Sequence, residues 1–214
     1  MSPRSVTAYP LDDEHQRVLL ELAADSIGRA LLRGDGQPEI PEPTGDLALD
    51  QAAATFVTLE RGEALLGCIG TLEPVRPLAV DVAHNAIAAA FSDPRLPELT
   101  VDEYAAMSIK VSVLSHPEPM TVSTYDELAA AVRPGTDGLL LEAGSARSTL
   151  LPSVWPKVRD VAEFLDVLWR KGGLRPGTWR TDSHISRYTT EEFGDPGPRA
   201  HIDARAARRF SARR

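Results

Sequence analysis

Few side chains in this sequence are equipped for covalent chemistry, and the foremost is its single cysteine, Cys68, in the run Leu65-Leu66-Gly67-Cys68-Ile69-Gly70. Glycine in a strand-like run marks a bulge, a sharp bend or a close approach by another group. The two glycines also leave the thiol with little side-chain cover. A free thiol has a pKa of about 8.5, so only a few per cent is thiolate at neutral pH. Nucleophilic work therefore needs a nearby cation or imidazole. His84 and His116 are the histidines that the fold can bring close, although nothing in the sequence fixes a partner for either. Cysteine also serves as a small buried hydrophobe. Nucleophile and packed strand residue are thus the two readings of Cys68.

Other chemistries find weaker support. One cysteine excludes an internal disulfide framework and a cysteine-rich zinc site. The histidines at 15, 84, 116, 184 and 201 have no two-ligand spacing on a helix, so no metal site of protein ligands is expected. Asp182-Ser183-His184 is contiguous, whereas the members of a serine triad meet through the fold. Gly34-Asp35-Gly36 and Lys171-Gly172-Gly173 follow helices instead of opening them, so no phosphate-cradling loop is expected. No motif calls for a cofactor.

Charge narrows the partners. Residues 205–214 hold five arginines and no acid; the remaining 18 basic groups against 31 acidic ones leave residues 1–204 at a formal −13. Such a body repels phosphate backbones, so no nucleic-acid partner is expected, and the basic end reads as a solvated, disordered tail. The content is 43% hydrophobic and 25% charged, ordinary for a globular protein. Asp12, Asp13 and Glu14 stand where a signal peptide needs apolar residues, and no run is long enough to cross a bilayer. A cytoplasmic protein without membrane contact is expected.

The elements that must position Cys68 follow from periodicity. Leu11–Arg33 reads as a helix with Val18, Leu19, Leu22, Ile27, Ala30 and Leu31 near one face, stopped by Gly34-Asp35-Gly36. Residues 34–50 read as a proline-rich linker. Ala54–Leu59 and Ala64–Ile69 read as a hairpin around Glu60-Arg61-Gly62-Glu63, with the cysteine near the end of its second strand. Pro77 opens a helix through Ala90, and the prolines make 93–97 a loop. Met107–Ser115 alternates as a half-buried strand, and Thr124 with Glu127 forms a capping-box pattern over a helix to Val132. A second hairpin follows, Gly138–Glu142 with Ala146–Leu151, then a helix over 158–170 and a last strand within 179–190. The tryptophans Trp155, Trp169 and Trp179 read as core or lobe-interface residues. Hairpin then helix, twice over, predicts an α+β fold built on an internal duplication, with mainly antiparallel sheets flanked by helices.

Residues 55–59 with Gly67-Cys68-Ile69-Gly70 resemble the AMMECR domain family, whose bacterial members are called AmmeMemoRadiSam system protein A. Residues 88–99 (including Asp93-Pro94-Arg95-Leu96-Pro97), 109–115, 135–141, 151–155 and 187–194 fit the same family, so the resemblance spans roughly 12–194. It implies a single domain over 1–204 of two unequal lobes, with the Gly-Cys-Ile-Gly segment facing the cleft between them. It also implies a Memo-like protein of the extradiol-dioxygenase fold and a radical SAM protein as partners. The family usually has arginine immediately before the Gly-Cys pair, where this chain has Leu66; Arg95 matches the family's loop arginine and is the remaining candidate cation.

Two functions of different classes stand on these residues. In one, Cys68 performs thiol chemistry on a small metabolite in a site lined by Gly67, Ile69 and Gly70, with Arg95 holding an anion and Asn85 hydrogen bonding; Glu118 is a further polar candidate. In the other, the chain is a non-catalytic scaffold subunit for the Memo-like partner, and the Gly-Cys-Ile-Gly run is a packing requirement.

Overall fold

In the computed structural model, residues 10–37 and 41–199 are described; the basic tail at 205–214 and part of the linker lie outside them. The chain divides into two compact units, one of residues up to Leu114 together with those from Glu191 onward, the other Ser115–Thr190. Each is an antiparallel α+β assembly, as the duplicated hairpin-helix pattern predicts.

In the first unit, helix α1 (Asp13–Arg33) starts at Asp12, whose carboxylate accepts the His15 N–H while the His15 ring accepts the Asp12 N–H. That reciprocal pair satisfies two donors the helix itself leaves open. The linker is less extended than the prolines imply. Asp46 caps a single turn, α2 (Leu47–Asp50), which buries Ala48 and Leu49. The hairpin strands are β1 (Ala52–Arg61) and β2 (Ala64–Gly70), and a two-residue bridge strand, β3 (Arg76–Pro77), also pairs with β1. Helix α3 (Leu78–Phe91) begins one residue later than predicted, because Pro77 is extended at its N-cap. A short helix that periodicity does not reveal, α4 (Val101–Ala106), is closed by a Thr100–Glu103 capping box. Strand β4 (Ser108–Leu114) follows.

In the second unit, β5 (Glu118–Pro119), α5 (Tyr125–Ala131), β6 (Gly138–Ala143), β7 (Ala146–Leu150), a 3₁₀ turn (Pro152–Lys157), α6 (Val161–Lys171) and β8 (Ser183–Tyr188) build a sheet of order β5-β8-β6-β7. Its core joins Leu128, Leu139, Leu141, Phe164, Leu165 and Leu168 to Trp155 and Trp169. Trp155 stacks on Phe164 at 3.9 Å and donates to the Asp137 carbonyl at 2.8 Å; Trp169 donates to Thr178. These tryptophans are core residues with their N–H groups satisfied. The strand expected within 179–190 is β8, which ends at Tyr188, but it is not the last: β9 (Thr190–Asp195) follows and joins the other sheet.

That first sheet runs β2-β1-β4-β9, with β2 on its edge. Its inner face, carrying Val57, Leu59, Ile109, Val111 and Val113, packs with Leu19, Ala23, Ile27, Val82, Ala86 and Ala89 of α1 and α3. The alanines on α3 let that helix lie close to the strands. Strand alternation puts Phe56, Thr58 and Lys110 on the opposite face.

Candidate functional site

Cys68 lies on that opposite face because of one extra residue. Arg61 pairs with Ala64 and Glu60 with Leu65, but Leu59 then pairs with Gly67, so Leu66 and Gly67 together oppose Leu59. An uninterrupted hairpin would set Cys68 against fully buried Val57. The bulge sets it against Thr58 instead, and a one-residue shift exchanges the faces of a strand. Leu66, the residue in excess, packs on the first unit's core. Cys68 is left half-buried. Its Sγ accepts a hydrogen bond from the Thr58 hydroxyl at 3.2 Å.

The backbone of Cys68 is gripped from the sheet edge by the loop after α3. Asp93 Oδ2 accepts the Cys68 N–H at 3.0 Å, and an Arg95 guanidinium nitrogen donates to the Cys68 carbonyl at 3.0 Å. Arg95 is itself held by Asp93 through contacts of 2.9 and 2.7 Å, and its own N–H returns to Asp93 Oδ1 at 3.1 Å. Unpaired edge groups that would otherwise need water are thus satisfied by one ion pair. The carboxylate is 2% exposed. The hydrogen bond from Arg95 chiefly, aided by the Cys68 N–H and opposed by desolvation, holds the Asp93 carboxyl far below the usual carboxylate range. Arg95 is raised from its ordinary value, first by the Asp93 hydrogen bond, with the neighbouring Cys68 thiol adding to the effect against desolvation. Arg95 therefore stands beside the cysteine, already engaged with Asp93 and the Cys68 carbonyl.

The residues around the cysteine have packing reasons of their own. A Cβ on Gly67 would lie 2.8 Å from the carbonyl carbon of Ala89, so this glycine lets α3 touch β2. A Cβ on Gly70 would meet the Phe56 ring at 2.5 Å. Ile69 packs on the first unit's core.

Asn85 is not brought to the thiol. It projects from α3 onto the inner face of the sheet, 1% exposed, and its amide donates to the Thr55 carbonyl at 3.0 Å and to Asp81 at 2.9 Å. Asp81, wholly buried, also accepts from the Thr55 N–H and hydroxyl, the Thr71 hydroxyl and Arg76. A buried charge with this many donors holds β1, β3 and α3 together. His84 and His116 are exposed, and among the described residues neither hydrogen bonds to Cys68. Glu118 stands on β5 in the other unit, opposite Arg187. No group of three or more His, Cys, Asp or Glu among the described residues is placed to hold a metal ion, and no helix among them is long and apolar enough to cross a membrane.

Two residues not singled out from the sequence touch Cys68, Thr58 and Asp93, and Lys110 stands in line beyond Thr58. Asp93 carried a signal, since an aspartate two residues before a backbone donor commonly closes a turn on it. Thr58 carried none that survives an unforeseen bulge. Thr58 pairs with Cys68 on one side and with Lys110 on the other.

The AMMECR1 family profile matches residues 20–193. A protein of Methanothermobacter thermautotrophicus is 36% identical over 194 residues, covering 88% of this chain and 98% of that one. Protein PF1979 of Pyrococcus furiosus is 34% identical over 207 residues, covering 91% and 94% respectively. The crystal structure of the uncharacterized protein PH0010 from Pyrococcus horikoshii is similar with a TM-score of 0.80 at 33% identity, over 89% of this chain and 96% of that one.

Proposed function

The chain belongs to the AMMECR1 family, and from that premise we propose that its outer sheet face is a small-molecule site in which Cys68 is the nucleophile. One observation carries this reading: packing accounts for Gly67, Ile69 and Gly70, but a half-buried thiol held under a hydroxyl donor is not explained as filler. In the reaction the Cys68 sulfur forms a bond to an electrophilic carbon of the metabolite. The bond from that carbon to its leaving group breaks with its electron pair, and the thiol proton leaves with that group. Thr58 stabilises the sulfur anion through its O–H, and Arg95 fixes the cysteine backbone while contributing positive charge. The family resemblance supports a metabolite shared with a Memo-like protein and a radical SAM protein.

A scaffold role for the chain has one observation in its favour, the exposure of Leu65 and Val75 on either side of the Gly-Cys-Ile-Gly segment. The rate of Cys68 alkylation by iodoacetamide against pH, in native and urea-unfolded protein, separates the two. A native midpoint well below the unfolded one supports the nucleophile; a native thiol slower than the unfolded one at every pH sinks it and leaves the scaffold.

A further inference from the structure

We infer that Lys110 is the anion-holding group of this face, so that the ligand of the Cys68 site is a small anionic electrophile. The inference rests on the nucleophile reading above. Three residues form one row across adjacent strands: Cys68 on β2, Thr58 on β1 and Lys110 on β4, paired Cys68–Thr58 and Thr58–Lys110. Directly opposed residues of antiparallel strands share a face, and two strand spacings set the outer Cα atoms roughly 10 Å apart. The 3.2 Å contact between Thr58 and Cys68 fixes the face, and buried Ile109 and Val111 on either side of Lys110 point to the other one.

Two features leave the ammonium available. Among the described residues the Lys110 side chain makes no hydrogen bond or ion pair, whereas Arg95 and Arg76 are each engaged by a buried aspartate. On the side away from Thr58 stands Gly194, where a Cβ would lie 3.7 Å from the Lys110 Cα and 3.0 Å from the Ile109 carbonyl oxygen. Gly194 adds no side chain at that position, and on the other side Thr58 stands between Lys110 and Cys68 in the row. Glu192 on the neighbouring strand accepts the Ser112 hydroxyl at 3.0 Å. A nucleophile at one end of a row and an unpaired cation at the other match a molecule with an electrophilic carbon at one end and an anionic group at the other. The chain as a whole carries a formal −8, so the general field repels such a ligand and a local cation has to select it.

Iodoacetate and iodoacetamide test this directly, since they alkylate a thiol by the same displacement of iodide and differ in charge. The measurement is the ratio of their rates at Cys68 in the full chain, native and unfolded in urea. Native protein is expected to favour iodoacetate roughly fivefold more than the unfolded chain does, and the preference should shrink as salt is raised. Lys110→Gln should bring the ratio to the unfolded value or below while changing the iodoacetamide rate less than about twofold, and Lys110→Arg should restore it. A native ratio at or below the unfolded one, or a ratio indifferent to Lys110→Gln, overturns the role of Lys110 and leaves the nucleophile standing. A native thiol that neither reagent reaches overturns both.

Discussion

Asp93 Oδ2 accepts the backbone N–H of Cys68 at 3.0 Å, so a loop carboxylate, and not the sheet alone, sets where the thiol stands. The loop and the strand meet because Arg95 closes the other side of the same residue. This gives Asp93 a measurable part in stability.

The sign of its pH dependence follows from the depressed carboxyl. Ionised Asp93 stabilises the fold at every pH above the unfolded value of about 3.9, and this contribution is lost as pH falls from there toward the lower folded value. Asp93→Asn should cost about 2 kcal/mol at pH 7 in urea unfolding, the cost of misfitting a buried charged acceptor. The gap between wild type and variant should narrow steadily below pH 4. A gap constant from pH 7 to pH 3 would contradict the assignment.

Thr58→Val removes the donor to the sulfur and keeps a residue suited to a strand. A hydrogen bond of about 1 kcal/mol to the anion corresponds to about fivefold in thiolate population. Alkylation of Cys68 at pH 7 should slow by that factor in the variant. Equal rates across the whole range would remove Thr58 from the site.

Gly67→Ala places a methyl against the Ala89 carbonyl. Both groups are backbone-anchored, so the clash is relieved only by moving α3 off β2, at a cost of roughly 3 kcal/mol. A large fall in the thermal midpoint is expected; a variant as stable as wild type would show that α3 does not press on Gly67.

Asn85→Ala should separate the inner face from the outer one. Losing the amide leaves the Thr55 carbonyl and Asp81 short of a donor, costing about 2 kcal/mol. The pH profile of Cys68 alkylation should not move, because the sheet lies between the two residues. A shifted profile would return Asn85 to the site.

Much of the scaffold was legible in the chain. The alternation of Ile109, Val111 and Val113, the capping residue Thr124, and the two hairpins each followed by a helix are local patterns, and local patterns report α+β elements well. The short helices α2 and α4 and the break between β8 and β9 were not legible. Segments of four to six residues carry too little periodicity, and a strand that changes sheets does so for pairing partners far away in sequence.

The sequence by itself determined that one thiol, set between glycines beside a helix-bearing hairpin, is the residue to examine, and the family resemblance singled out Arg95. Only the tertiary structure decided which face the thiol occupies. That depends on a single residue, Leu66, being taken up as a bulge, and hairpin register is a property of two strands together. The same register put Thr58 and Lys110 in line with Cys68, and sent Asn85 to the inner face to share Asp81 with Thr55. Whether a polar residue serves a site or a core is decided by the surface it meets, and that surface is assembled from strands distant in sequence.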